Sequence, residues 1–195
     1  YFQPEPTPIP QVRSEIPVMA RGLALGLAIS PNGQYIAYRD TVDGVTAIWL
    51  RPTNAFETRV LPGTTNASSF FWSPDSRFLA FTANGKLQRV DIAGAPPQPI
   101  TDAPRVMAVD GAWGAGSTIL YPTQSGEIGR VPASGGPVTP IAGLRASKDP
   151  ACETPTFLRG LVRILPDGER FLYLDRACGA GPAFEIYVGS LTGAS

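Results

Sequence analysis

Apolar positions along this chain recur in a fixed figure. Ile48 and Leu61, Leu87 and Ile100, and Ile128 and Ile141 are each thirteen residues apart, and successive figures begin 39 and 41 residues after one another. The segments between them are short apolar runs bounded by Gly, Pro, Asp and Asn, which is strand-and-turn patterning rather than the 3.6-residue period of a helix. Self-similarity near forty residues with strand content predicts four-stranded antiparallel blades repeated about an axis, an all-β propeller.

The units can be laid over one another strand by strand. Ser30-Pro31-Asn32-Gly33, Ser73-Pro74-Asp75-Ser76 and Leu165-Pro166-Asp167-Gly168 are equivalent turns between a first strand A and a second strand B. Proline presets φ at the second turn position, and Asn or Asp suits the third. The third unit keeps only Gly114-Ala115-Gly116-Ser117, a shorter glycine-rich hairpin. Two aromatic and apolar columns follow: Tyr38, Phe81, Tyr121 and Tyr173 on strand B, and Ile29, Trp72, Trp113 and Ile164 on strand A. Both are expected to pack between neighbouring blades as core rather than to form a ligand box. Strand C is expected at Ala47 to Leu50, Leu87 to Val90, Ile128 to Val131 and Ile186 to Val188, and a thirteen-residue step from Ile186 falls beyond Ser195. The expected units are therefore about 22–62, 67–101, 106–142 and 155–195, the last without its fourth strand, within a partial, open propeller spanning 18–195.

Taken together, these motifs resemble the WD40-like propeller repeats of the PD40 type, also found in TolB. Phe71 to Arg77, Gly85 to Asp91, Arg130 to Gly136, Leu165 to Gly168 and Ile186 to Leu191 are similar, more narrowly, to the propeller that follows the transmembrane segment in many bacterial eukaryotic-like serine/threonine protein kinases. The resemblance covers roughly Leu23 to Ser195 and implies an extracytoplasmic sensing or protein-binding domain of a membrane-anchored kinase, with further blades after Ser195. No part of a kinase domain lies in the sequence, so no kinase residue is carried over. Two alternatives use the same repeat: the lid propeller of a prolyl-oligopeptidase-like hydrolase, and a TolB-like periplasmic scaffold.

Composition narrows the chemistry. The 195 residues contain no histidine, so neither a Ser-His-Asp nor a Cys-His nucleophile can be assembled from them. Two cysteines do not make a structural zinc site, and no nucleophile elbow, P-loop or dinucleotide fingerprint is present. The expectation is a chain without catalysis, cofactor or metal. Sixteen basic residues balance sixteen acidic ones, which gives no electrostatic case for nucleic acid or an anionic membrane. No apolar run is long enough to span a bilayer. The 21 prolines and 21 glycines read as turns, except near the start. There Tyr1-Phe2-Gln3 looks like the remnant of a cleavable tag, and residues 4–17 carry five prolines, an extended tether whose Val12 to Ile16 suits a strand added to a sheet edge.

In an antiparallel meander, the B-to-C loops and the loops from D to the next A emerge on one face. This set is expected to be the longer and more variable: Asp40 to Gly44, Gly63 to Asn66, Asp102 to Arg105, Gly143 to Thr154 and Asp175 to Pro182. The candidate binding face is accordingly Asn66, Asp102, Arg105, Arg145, Lys148 and Asp149. Its expected partner is a protein or small extracytoplasmic ligand. Cys152 and Cys178 fall in two loops of the fourth unit on this face, where a disulfide is reachable, with two reduced thiols as the alternative. Open blade edges point also to a homodimer.

Overall fold

The computed structural model describes residues 26–103, 111–123, 127–142, 144, 160–177 and 183–191, with only the backbone described at 160, 161, 175–177, 183 and 184. Fifteen strands run in chain order. β1 (Leu27–Ile29), β2 (Tyr35–Val42), β3 (Val45–Pro52) and β4 (Arg59–Val60) form the first sheet, and β5 (Ser69–Trp72), β6 (Phe78–Ala83), β7 (Lys86–Asp91) and β8 (Gln98–Asp102) the second. β9 (Ala112–Trp113), β10 (Thr118–Pro122), β11 (Ile128–Pro132) and β12 (Thr139–Pro140) form the third, and β13 (Gly160–Ile164), β14 (Arg170–Ala177) and β15 (Ala183–Ser190) the fourth. Each sheet is an antiparallel meander of sequential neighbours, and no sheet closes on itself. The architecture is an open partial propeller of four blades.

The thirteen-residue figure has a direct structural cause. Leu61 N donates to Ile48 O at 2.8 Å and Ile141 N donates to Ile128 O at 2.9 Å, so the two residues of the first and third figures are bonded where strand C meets the end of strand D. In the second blade a bulge intervenes between Leu87 and Gln88, and Leu87 stands opposite Thr101 rather than Ile100. All six figure residues are buried. They belong to three apolar clusters, each shared by two successive blades. The first joins Ile48, Leu50 and Leu61 to Phe70, Trp72 and Phe81, the second Leu87 and Ile100 to Ile119 and Tyr121, and the third Leu120, Ile128 and Ile141 to Phe171 and Tyr173. The core thus lies between blades, not within one.

Polar ties repeat the arrangement at the rim. Asn32 N donates to Ser76 Oγ at 3.0 Å, linking the turns of blades one and two, and Arg130 reaches Leu191 O at 3.2 Å from blade three to blade four. Phe78 of blade two stacks on Trp113 of blade three, with centroids 6.1 Å apart, under the guanidinium groups of Arg77 and Arg89. Such pairs add about 0.5–1.5 kcal/mol to plain burial.

Three sequence expectations need correction. Ile29 does not pack between blades like Trp72: it is 58% exposed, although Ile36 opposite it on β2 is buried. Asp40 to Gly44 is not a loop, since β2 and β3 continue to a two-residue turn at Asp43-Gly44, and Asp40 is a buried strand residue. Both turn residues have positive φ, 52° and 78°, the primed turn that matches strand twist. Strand β14 likewise extends into the expected loop at Asp175 to Pro182, as far as Ala177, and β15 begins directly after it at Ala183. The expected tag remnant, the tether and Val12 to Ile16 lie outside the described residues, as do Cys152 and Cys178.

Candidate functional site

Two features of the described surface have the chemistry of a binding site. The first is built around the B-to-C hairpin of blade two. Asn84 and Gly85 have φ of 52° and 74°, so β6 returns as β7 through a tight primed turn that holds the neighbouring Lys86 in a fixed place. Asn66, in the left-handed region at φ 62°, approaches from the loop after blade one. Its backbone N donates to Thr46 O at 2.8 Å, and its Nδ2 reaches Asn84 Oδ1 at 3.4 Å. Below it, Thr64 Oγ1 accepts from Ile48 N at 3.0 Å and donates to Leu61 O at 2.7 Å, anchoring the loop to the buried figure.

On the other side of the hairpin stands Asp102, the last residue of β8. It pairs with Lys86, and Ala103 N donates to Gly85 O at 3.0 Å. The Tyr121 hydroxyl of blade three donates to Asp102 O at 3.4 Å, and burial holds its phenol above the ordinary value. The structure thus places Asn66 and Asp102 on either side of one hairpin, with Asn84 and Lys86 between them. Arg105, Arg145, Lys148 and Asp149 lie outside the described residues.

The second feature lies where the A strands of all four blades converge. β1, β5, β9 and β13 line a groove of about 350 Å³. Phe70, Phe71, Trp72, Trp113, Ile164 and Arg163 line it together with polar atoms. Trp72 Nε1 donates to Ala28 O at 3.2 Å, which locks the indole across the first joint. Gly111 is needed here: a Cβ on it would lie 2.7 Å from Leu120 O and from the Phe71 ring. A groove of this kind can hold a ligand segment by contact with its rings and fix it by hydrogen bonds. Among the described residues no three His, Cys, Asp or Glu side chains gather as a metal site requires.

Sequence reasoning named Asn66 and Asp102 but not the residues that the fold places between them. The Asn84-Gly85 dipeptide flanked by apolar strands was the available signal, being the strongest short-range mark of a hairpin. The groove left no local signal, because its walls come from segments far apart in the chain.

This geometry has known counterparts. No protein-family model matches the chain, and no curated protein matches it. Among solved structures it is similar to TolB from Acinetobacter baumannii, with a TM-score of 0.65 at 18% identity over 86% of this chain and 41% of that one. A TolB-type protein of Agrobacterium tumefaciens gives 0.67 at 18% identity over 89% and 65%. The β-propeller domain of the Trilobed protease from Pyrococcus furiosus, which has an open velcro topology, gives 0.55 at 18% identity over 86% and 54%. The fold is that of the TolB-type propellers. The chain spans less than two thirds of the length of each of these structures.

Proposed function

We propose that this chain is a non-catalytic protein-interaction propeller that works outside the cytoplasm. The observation that carries the reading is the groove lined by the A strands of all four blades, held on joints that do not deform easily; the cluster of Asn66, Asn84, Lys86 and Asp102 about one hairpin is a second polar surface. It is a surface for holding a segment, with no bond made or broken. The narrower form of the proposal is the sensing domain of a bacterial membrane-anchored serine/threonine kinase, supported by the sequence motifs around Phe71 to Asp91 and Arg130 to Gly136. A TolB-like periplasmic scaffold is the second reading, favoured by the likeness to two TolB-type structures. The propeller of a protease, as a lid without chemistry of its own, is supported by the likeness to the Trilobed protease domain.

Panning a random peptide library against the folded chain tests the binding role. Selected peptides should lose at least tenfold in affinity against Trp113→Ala or against Asp102→Ala, by calorimetry, while circular dichroism stays unchanged. Peptides that bind both variants as tightly as the original would remove these surfaces from the account. The flanking coding sequence separates the three settings: a kinase domain with a transmembrane segment, a secretion signal alone, or a downstream nucleophile elbow.

A further inference from the structure

The chain contains two Asn-Gly dipeptides, and the fold treats them in opposite ways. An asparagine amide can be attacked by the backbone nitrogen that follows it, most readily before glycine, where no Cβ obstructs the approach. The attack needs a nitrogen that is not committed as a hydrogen-bond donor and an amide carbon able to turn towards it.

At Asn32-Gly33 both groups are engaged. Gly33 N donates to Ser30 O at 2.8 Å. The Asn32 amide oxygen accepts from Ser30 Oγ at 2.7 Å and from Gln34 N at 3.1 Å, and its Nδ2 donates to Gln34 Oε1 at 3.2 Å. Turning the amide towards Gly33 N would break all of these bonds.

At Asn84-Gly85 neither group is held. The dipeptide is the two-residue turn from β6 to β7, and Asn84 is exposed. Gly85 N donates to nothing among the described residues. The Asn84 amide has only the contact of its Oδ1 with Asn66 Nδ2 at 3.4 Å, at the long limit of a hydrogen bond. A Cβ built on Gly85 would meet nothing within 4 Å, so water has room to take up the proton of the nitrogen. Ala103 N donates to Gly85 O at 3.0 Å, which anchors the far side of the glycine while the attacking nitrogen stays unbonded.

We propose that Asn84 is a site of spontaneous covalent modification, at which the turn amide becomes a carboxylate. Gly85 N gives its proton to water or hydroxide and bonds to Asn84 Cγ; the bond from Cγ to Nδ2 breaks and ammonia leaves, closing a succinimide ring. Water then opens the ring. Breaking the new bond gives aspartate, and breaking the original peptide bond gives isoaspartate. Either product places a negative charge in the polar cluster about this hairpin. Isoaspartate also lengthens the backbone of a turn that sets the register of β6 on β7.

The experiment incubates the intact chain at neutral and at mildly alkaline pH, folded and in denaturing urea, and follows its tryptic peptides by mass spectrometry. The peptide Phe78 to Lys86 carries Asn84, and the one ending at Arg39 carries Asn32. In the folded chain the first should exchange amide for carboxyl at least about tenfold faster than the second. The exchange should quicken at the higher pH, because the deprotonated nitrogen is the nucleophile. In urea the two peptides should convert at similar rates. Asn84→Gly tolerates the positive φ of the turn, and it should abolish the acidic form that ion exchange resolves from a chain of zero formal net charge. Equal rates for the two peptides in the folded chain overturn the proposal. So does an Asn84 peptide that stays unchanged for as long as its unfolded counterpart takes to convert, or an acidic form that persists in Asn84→Gly.

Discussion

Blades two and four are built from the same repeat, yet they are held by different means. In blade two the turn between strands A and B is closed by a serine and an aspartate acting together. Ser73 Oγ donates to Asp75 Oδ1 at 2.5 Å and accepts from Phe78 N at 2.8 Å, while Arg77 N donates to Asp75 Oδ1 at 3.1 Å. Blade one repeats this with Ser30 and Asn32. Blade four has Leu165 where the serine stands, and Asp167 takes over its work: Oδ1 accepts from both Glu169 N and Arg170 N at 2.9 Å, and Oδ2 binds Arg170 Nε at 2.6 Å. Arg170 N is five residues after Leu165, as Phe78 N is five after Ser73. The backbone turn survives loss of the hydroxyl because its third position is a carboxylate. The blades differ again at their far faces, where Leu87 is fully buried and Ile186 largely exposed.

The largest test of this contrast is truncation at the equivalent strand C positions. Leu87→Ala removes a side chain with no room to relax and should cost about 2–5 kcal/mol. Ile186→Ala should stay within about 0.5 kcal/mol in solution dilute enough for single chains. Urea midpoints on both variants decide it, and equal costs would mean that blade four is covered within one chain.

Next comes the turn. Ser73→Ala should cost about 1 kcal/mol, the net worth of an ordinary hydrogen bond. A loss well below that would mean that Asp75 slides to accept from Phe78 N, as Asp167 already does for Arg170 N. A crystal structure of the variant would distinguish the two.

Acid separates the turns by a different route. The backbone N–H and the guanidinium of Arg170, with Glu169 N, hold the Asp167 carboxyl at about 2, below its ordinary 3.8. The Ser73 hydroxyl leads the causes that lower Asp75. A carboxylate depressed in the folded state stabilises it fully above the ordinary value, and this contribution is lost as pH falls from 3.8 through about 2. The original chain should therefore lose stability across that window. Asp167→Asn, which keeps the acceptor without the charge, should lose less. Urea midpoints followed against pH measure both, and parallel curves would count against the carboxylate.

Much of this was legible in the sequence, and the reason is the repeat. The thirteen-residue figure marks residues of neighbouring strands that share a buried cluster and, in blades one and three, a backbone bond, so the period reports tertiary packing directly. The columns of Tyr38, Phe81, Tyr121 and Tyr173 followed from alignment of the units, and all four are buried. Ile29 failed because burial at that position depends on what packs across the sheet, which no local window contains. The Asp43-Gly44 turn was missed by reading Asp40 to Gly44 as loop, and the Asn84-Gly85 turn was not singled out, although the φ values that both dipeptides favour mark a tight hairpin. Of the site, Asn66 and Asp102 could be placed on a face, but Lys86 joined them only once the hairpin was seen to end between them.

The smallest expected effect separates what holds blade two from what it offers to a partner. Lys86 and Asp102 form an ion pair with both side chains well exposed, 55% and 73%. Such a pair gains little in water, and two long side chains lose rotamer freedom to make it. Lys86→Ala should therefore change stability by no more than about 0.5 kcal/mol, even though it empties the position beside the Asn84-Gly85 turn. The same variant should weaken peptides selected on this face, because the exposed ammonium can bond a partner's acceptor. If stability fell as far as with Ser73→Ala while peptide binding held, the pair would belong to the frame of blade two rather than to its working surface.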